Sequence, residues 1–169
     1  MDSVNPDKLV IQAEQLCQQR NVRLTPQRQE VLRLIAQQTG AISAYDLLDL
    51  LRASEPQAKP PTVYRALDFL LEQGFIHRVE SNNSYVLCHH FEEHSHTSAL
   101  FICDRCGQVT ERQTEGVEET LQQLAQQSGF VMRHSVVEAH GFCRECQQVE
   151  SCEQRDSCNH DHSLIVKKR

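Results

Sequence analysis

Apolar positions recur at helical spacing through the first seventy residues, and capping residues punctuate them. Leu9, Ala13 and Leu16 mark one face of a short helix that ends near Arg20-Asn21. Thr25-Pro26 supplies an N-cap with proline at the first helical position, and Val31, Leu34 and Ile35 continue as the apolar face of a second helix that stops by Gly40. Ser43-Ala-Tyr-Asp46 has capping-box spacing, with Asp in place of the usual Glu. It opens a third helix carrying Leu47, Leu48, Leu50 and Leu51, with Tyr45 in its exposed first turn. Residues 54–61 form a connector, because Pro56, Pro60 and Pro61 cannot propagate a helix interior. Val63, Ala66, Leu67, Leu70 and Leu71 then lie at i, i+3, i+4, i+7 and i+8 of a fourth helix that Gly74 ends.

Beyond residue 74 the period changes. Residues 75–79 and 85–88 are β-rich runs around the turn sequence Ser81-Asn-Asn-Ser84, which predicts a hairpin. Helices followed by a hairpin give a winged helix-turn-helix pattern, whose reading helix enters the DNA major groove near its N-terminus. On a helical wheel Arg65 lies opposite the apolar stripe of the fourth helix, with Thr62 and Tyr64 flanking it, so that face carries groups suited to a groove. The second half reads as a strand over 108–111, a helix with Val117, Leu121, Leu124 and Ala125 on one face ending near Gly129, and a strand-like run over 130–140. The predicted class is α+β. It comprises a winged-helix domain over 1–88, a hinge and metal-ligand segment over 89–98, an α/β dimerisation domain over 99–150 and a flexible Cys/His-rich tail over 151–169.

Composition narrows the function. The chain has 169 residues, 39% of them hydrophobic, and no apolar run approaching the roughly 20 residues a membrane span needs. The N-terminus places acids before its apolar stretch and shows no cleavage site of small residues, so the expected location is the cytoplasm. Net charge is −6, with nine Lys/Arg against ten Asp/Glu in residues 1–84 and eight against thirteen in residues 85–169. Within the first half Arg20, Arg23, Arg28 and Arg33 face only Glu30 across one stretch, a local cationic surface compatible with phosphate contacts.

Eight cysteines in a reducing compartment point to metal ligands before disulfides. Cys103-Asp-Arg-Cys106 and Cys143-Arg-Glu-Cys146 are two CxxC pairs separated by 36 residues. Each pair can place two sulfurs about one tetrahedral ion, so together they form a closed four-cysteine set suited to structural Zn2+. The stretch between them supports only a small core, which dimerisation through a strand edge would relieve. Metal-type residues crowd the joint between the halves as well: His77, Cys88, His89, His90, His94 and His96, with Glu111, His134 and His140 beyond. A second metal site is expected there.

Arg23-Leu-Thr-Pro-Gln-Arg28 and Pro61-Thr-Val-Tyr-Arg65, followed by Leu67 and Gly74, resemble signature segments of the ferric uptake regulator (Fur) family of metal-dependent repressors. The similarity runs over about residues 8–147 and is strongest toward the zinc uptake regulator branch. The resemblance implies a homodimeric repressor that binds palindromic double-stranded operator DNA, with one or two dimers per operator. It also implies two Zn2+ per chain, one structural and one in a regulatory set matching His77, Cys88, His96 and Glu111. Tyr45, Thr62, Tyr64 and Arg65 become the candidate DNA contacts, and Asp49 and Arg52 a candidate contact between neighbouring dimers. Cys88 is the residue that favours zinc over iron, since Fe2+ more often takes N/O ligands. Iron-type members commonly carry an HHxH-like run before the CxxC, where this chain has His94-Ser-His96-Thr-Ser-Ala. An iron- or peroxide-responsive repressor on the same fold is the alternative.

An enzyme is not expected. His90-Phe-Glu92 partly resembles the HxE of zinc deaminases, yet Ile102, not proline, precedes Cys103, and a site closed by four thiolates leaves no position for an activated water. His89, His90 and His94, and the tail residues Cys152, Cys158, His160 and His162, receive no assigned site. Cys17 reads as a small hydrophobe on the first helix.

Overall fold

In the computed structural model, described here for residues 5–91, 98–132 and 135–150 without the side chains of 149 and 150, local capping chemistry sets the first helices. Asn5 caps α1 (Pro6–Gln19), accepting the Asp7 N–H. Thr25 caps α2 (Pro26–Ala36), accepting the Arg28 N–H, and Pro26 occupies its first turn. The helix ends at Ala36, before Gly40, because Gln37 already serves as its C-cap. Ser43 caps α3 (Ala44–Leu51) by accepting the Asp46 N–H at 3.1 Å, while its own hydroxyl donates to the Asp46 carboxylate at 3.0 Å. The acid thus reaches back to the Ser43 hydroxyl, whereas in a full capping box it would accept the N-cap backbone N–H. α4 (Pro60–Glu72) starts on two prolines, inside the expected connector, because proline fits the first helical turn, where its missing N–H is no loss.

Ahead of α3, Ile42–Ser43 forms the short strand β1, which pairs with β3 (Ser84–Leu87) and so joins the hairpin that β3 makes with β2 (Ile76–Val79). The hairpin is where the β-rich runs and the turn between them predict it, but β1 has no local signal, since two residues carry no period. The resulting sheet has the order β1-β3-β2. Leu32, Ile35, Leu47, Leu51, Leu67 and Leu70 from α2, α3 and α4 meet Phe75 and Ile76 in one fully buried core.

A second sheet has the order β5-β4-β6, from β4 (Ser98–Cys103), β5 (Val109–Gln113) and β6 (Val137–Gly141), with β4 antiparallel to β5 and parallel to β6. The local pattern predicts no strand before Cys103 and starts the last strand at 130, whereas β4 precedes Cys103 and Phe130 and Val131 stand outside any strand, 66% and 83% exposed. Between β5 and β6 lies α5 (Val117–Gln127), which buries none of its residues, and α6 (Arg144–Glu150) closes the described chain. The molecule is an α+β protein that divides into two compact units, residues 1–94 and 95–169. No helix among the described residues is long and apolar enough to cross a membrane.

Candidate metal centres and nucleic-acid face

The cysteine cluster follows from strand register. β4 ends at Cys103, and the parallel pairing sets Cys103 against Gly141, so the CxxC after β4 and the CxxC after β6 emerge at the same end of the sheet. The Asp104 N–H donates to the Gly141 carbonyl at 2.8 Å, and the Gly107 N–H to the Cys103 carbonyl at 2.9 Å, which folds the first loop back on itself. Cys143 leads into α6, where one turn later Cys146 is buried. The four sulfurs of Cys103, Cys106, Cys143 and Cys146 all lie within 4.8 Å of one another, and Cys106 Sγ and Cys143 Sγ are 3.8 Å apart. A tetrahedron with metal–sulfur bonds of ~2.3 Å has edges of ~3.8 Å, so the donor set fits a closed tetrahedral ion.

The sulfurs differ electrostatically. Burial pushes the Cys103 thiol up, but backbone N–H donors from Cys106, Cys143 and Arg105 override it and hold the thiol at about 6 instead of 9.0. Burial pushes Cys106 and Cys146 up, Cys146 furthest, with the neighbouring sulfurs adding to its shift. Without a metal the Cys103 thiolate is favoured here, while Cys106 and Cys146 prefer their protons. A divalent ion is the natural complement of such a set.

In the first unit, His77 on β2 stands opposite Val86 on β3, and Cys88 lies two residues beyond Val86, so the imidazole and the thiol share one face of the hairpin as diagonal neighbours. Their ligand atoms are within 4.8 Å of each other. Cys88 is fully buried, its N–H donates to the Phe75 carbonyl at 2.9 Å, and its sulfur accepts the His90 N–H at 3.4 Å. In the second unit Glu111 sits half-buried on β5, where the Ser98 hydroxyl donates to its carboxylate. Nothing local in the sequence marks Ser98, because a partner thirteen residues away across a strand pair leaves no local pattern. His94 and His96, His134, and the tail residues Cys152, Cys158, His160 and His162 lie outside the described residues. His140 has both ring nitrogens engaged, at 3.3 Å from Asp104 Oδ1 and 3.3 Å from Glu138 Oε2.

The α4 stripe predicted to be apolar is buried at Val63, Ala66, Leu67 and Leu70, which turns Tyr64 and Arg65 to solvent, with Thr62 half-buried beside them. Arg65 is exposed beside Tyr64, and Tyr45 on α3 is 73% exposed. The cationic cluster expected on charge alone is largely used up inside the unit. Arg20 donates to the Gln73 carbonyl at 2.8 Å, and Arg28 stacks 3.8 Å from the Phe69 ring centroid while donating to the Arg23 carbonyl. Arg33 pairs with Asp7 and Glu30. Only Arg23 of the four is exposed, since burying a guanidinium favours any nearby carbonyl, ring or carboxylate. Asp49 and Arg52 approach to 4.0 Å, and Arg52 also donates to the Ala58 carbonyl at 3.1 Å, pinning the connector before α4.

A winged-helix unit with a free reading face, joined in sequence to a unit built on clustered sulfurs, defines a metal-dependent DNA-binding regulator. The ferric uptake regulator family profile matches residues 19–140, and the chain belongs to that family. It is 64% identical to the zinc uptake regulation protein of Escherichia coli (strain K12) over 169 residues, covering 100% of this chain and 99% of that one. A solved zinc uptake regulator complexed with zinc and DNA superposes with a TM-score of 0.85 at 67% identity, covering 88% of this chain and 99% of that one. The peroxide operon regulator of Bacillus subtilis (strain 168) is more distant, 27% identical over 135 residues, or 77% of this chain and 88% of that protein.

Proposed function

We propose that this protein is a homodimeric, zinc-responsive repressor of zinc-uptake genes that binds palindromic operator DNA, with two Zn2+ per chain. Cys103, Cys106, Cys143 and Cys146 hold the structural ion, and His77, Cys88, His96 and Glu111 hold the regulatory one. The observation that carries the reading is the soft His77/Cys88 pair, built on the wing of the same unit that exposes Tyr45, Tyr64 and Arg65. The first unit thus carries two soft ligands of the proposed site together with the proposed DNA face, so occupancy of one can bear on the other.

Zinc, when bound, supplies a fixed junction for side chains that come from residues 77 to 111. The regulatory ligands then favour the DNA-competent arrangement, because that arrangement is the one in which they meet, and operator affinity rises by the same factor as ligand affinity. Arg65, Tyr64, Thr62 and Tyr45 read or brace the major groove, and a two-fold pair of chains presents two such faces to a palindrome. Dimerisation is supported by the exposed apolar set on the second unit, Phe101, Leu124, Phe130 and Val136, which a second copy would cover. Asp49 and Arg52, paired only loosely at 4.0 Å, are available for contact between dimers.

The test is operator binding titrated with Zn2+, Fe2+ and Mn2+ in parallel. Zinc should act at the lowest free concentration. Tight binding driven first by iron would establish the iron- or peroxide-responsive alternative instead. Cys88→Ser should weaken the zinc response on the order of tenfold or more, erode its selectivity and leave the dimer intact. If Cys88 were only a buried hairpin residue, that variant would melt earlier yet keep its zinc response.

A further inference from the structure

The N-terminal turns of α4 expose Tyr64 and Arg65, the proposed DNA contacts, while its C-terminal end is tied to the segment of Cys88 through a single residue. The Phe75 N–H donates to the Leu70 carbonyl and the Gly74 N–H to the Leu71 carbonyl, both at 3.0 Å, with Gly74 at φ 76°. This double bond pattern closes a helix and requires a left-handed residue at the glycine position. The Phe75 carbonyl accepts the Cys88 N–H at 2.9 Å. Its ring, fully buried, sits 5.6 Å from the Arg20 guanidinium and 5.4 Å from the Phe91 ring, edge to face at 90°. Arg20 in turn donates to the carbonyl of Gln73, the α4 C-cap, at 2.8 Å, where a cation complements the negative end of the helix. Arg20 Nε is buried without a hydrogen-bond partner among the described residues, an unfavourable feature that a simple C-cap does not require.

We propose that Arg20 and Phe91 are positioning residues that, by gripping Phe75, couple metal occupancy at Cys88 to the seating of α4. The proposal rests on reading Cys88 as a regulatory metal ligand. When the Cys88 sulfur is drawn toward an ion its backbone moves with it, and the Phe75 carbonyl bonded to that backbone must follow. A close-packed interior does not absorb such a shift locally. With the ring clamped on two sides, the displacement passes along the chain to Gln73 and the end of α4. Without the clamp, the ring rocks in place and the helix stays where it was.

The experiment uses the full chain as wild type, Arg20→Ala, Arg20→Lys and Phe91→Leu, with an operator duplex that wild type selects from random-sequence DNA. Operator affinity is measured at saturating Zn2+ and with free Zn2+ buffered below the regulatory affinity, and Zn2+ affinity is measured on and off DNA. Arg20→Ala and Phe91→Leu should lower the zinc enhancement of DNA binding by about three- to thirty-fold and leave zinc-poor affinity within about twofold of wild type. The DNA-induced gain in Zn2+ affinity should fall by the same factor, as linkage demands. Arg20→Lys, which keeps a donor for Gln73 but loses the planar group over the ring, should recover part of the enhancement. Variants that only melt earlier while keeping the wild-type enhancement overturn the proposal and leave a packing role. A wild type with no zinc enhancement overturns both this proposal and the reading of Cys88 beneath it. Should Arg20→Ala fail to fold, Phe91→Leu and Arg20→Lys carry the same measurement.

Discussion

Among the described residues, the first unit buries Leu32, Ile35, Leu47, Leu51, Leu67, Leu70 and Phe75 to 1% exposure or less, drawn from three helices and the start of the hairpin. The second unit buries Ala99, Leu100, Ile102 and Cys103 from one strand, adds Cys146, and leaves Leu124 56% exposed on a helix that buries nothing. The first is a self-sufficient core of branched apolar side chains. The second has sulfur where a core would be and apolar surface where solvent would be, and on the proposed reading metal and a second chain supply what its own packing lacks. On the proposed reading one chain thus holds two ways of being stable, and the fold of the second unit should be the more sensitive to chelation and dilution.

Removing the structural ion should break the comparison most severely. Structural zinc contributes an apparent ~10–16 kcal/mol in small zinc-binding peptides, comparable to or more than the ~5–15 kcal/mol that holds an ordinary domain together. Cys143→Ser should therefore release one zinc per chain and dissociate the dimer, while the first unit keeps its helical circular dichroism and cooperative melt. Metal analysis with sedimentation checks this, and a variant that stays dimeric and represses would refute it.

A paired truncation sharpens the contrast at lower energy. Leu67→Ala should destabilise the first unit by about 2–5 kcal/mol and leave metal content unchanged. Leu124→Ala should change monomer unfolding by less than about 0.5 kcal/mol, as for a surface position, and show its effect in the dimer dissociation constant. Equal effects on monomer stability would erase the distinction between the units.

Arg65→Ala tests the face that the first core holds out to solvent. Operator affinity should fall by about 1–3 kcal/mol with zinc content and dimer intact. Unchanged affinity would move the DNA face away from α4.

The mildest effect is in proton competition at the sulfurs. Cys106 and Cys146 are pushed up and so compete with protons for zinc throughout the neutral range, whereas Cys103, held at about 6, joins them only below that pH. Zinc affinity of the four-cysteine set should fall as pH falls, with the slope steepening by about one proton below pH ~6. Chelator competition across pH 5 to 8 measures it, and a constant slope would mean that the backbone donors around Cys103 do not lower its pKa.

What could be read from the sequence alone was whatever short-range chemistry controls. Thr25, Pro26 and Ser43 start helices because a cap acts within three residues, and Val63 to Leu71 show their buried stripe because a helix repeats every 3.6 residues. The two CxxC pairs carry their chemistry in their spacing, and the four sulfurs that spacing singles out are the four that gather. Tertiary structure decided the rest. The short strand β1, the parallel register that brings Cys103 and Cys106 to Cys143 and Cys146, and the hydroxyl of Ser98 on Glu111 all depend on partners distant along the chain. The same holds for the arginines. By composition Arg20, Arg23, Arg28 and Arg33 are equivalent, and only packing turns one against Phe75, one onto Phe69 and one toward Asp7, leaving Arg23 to solvent. A side chain's charge belongs to the sequence, but its partner is chosen by whichever group the folded chain brings within reach.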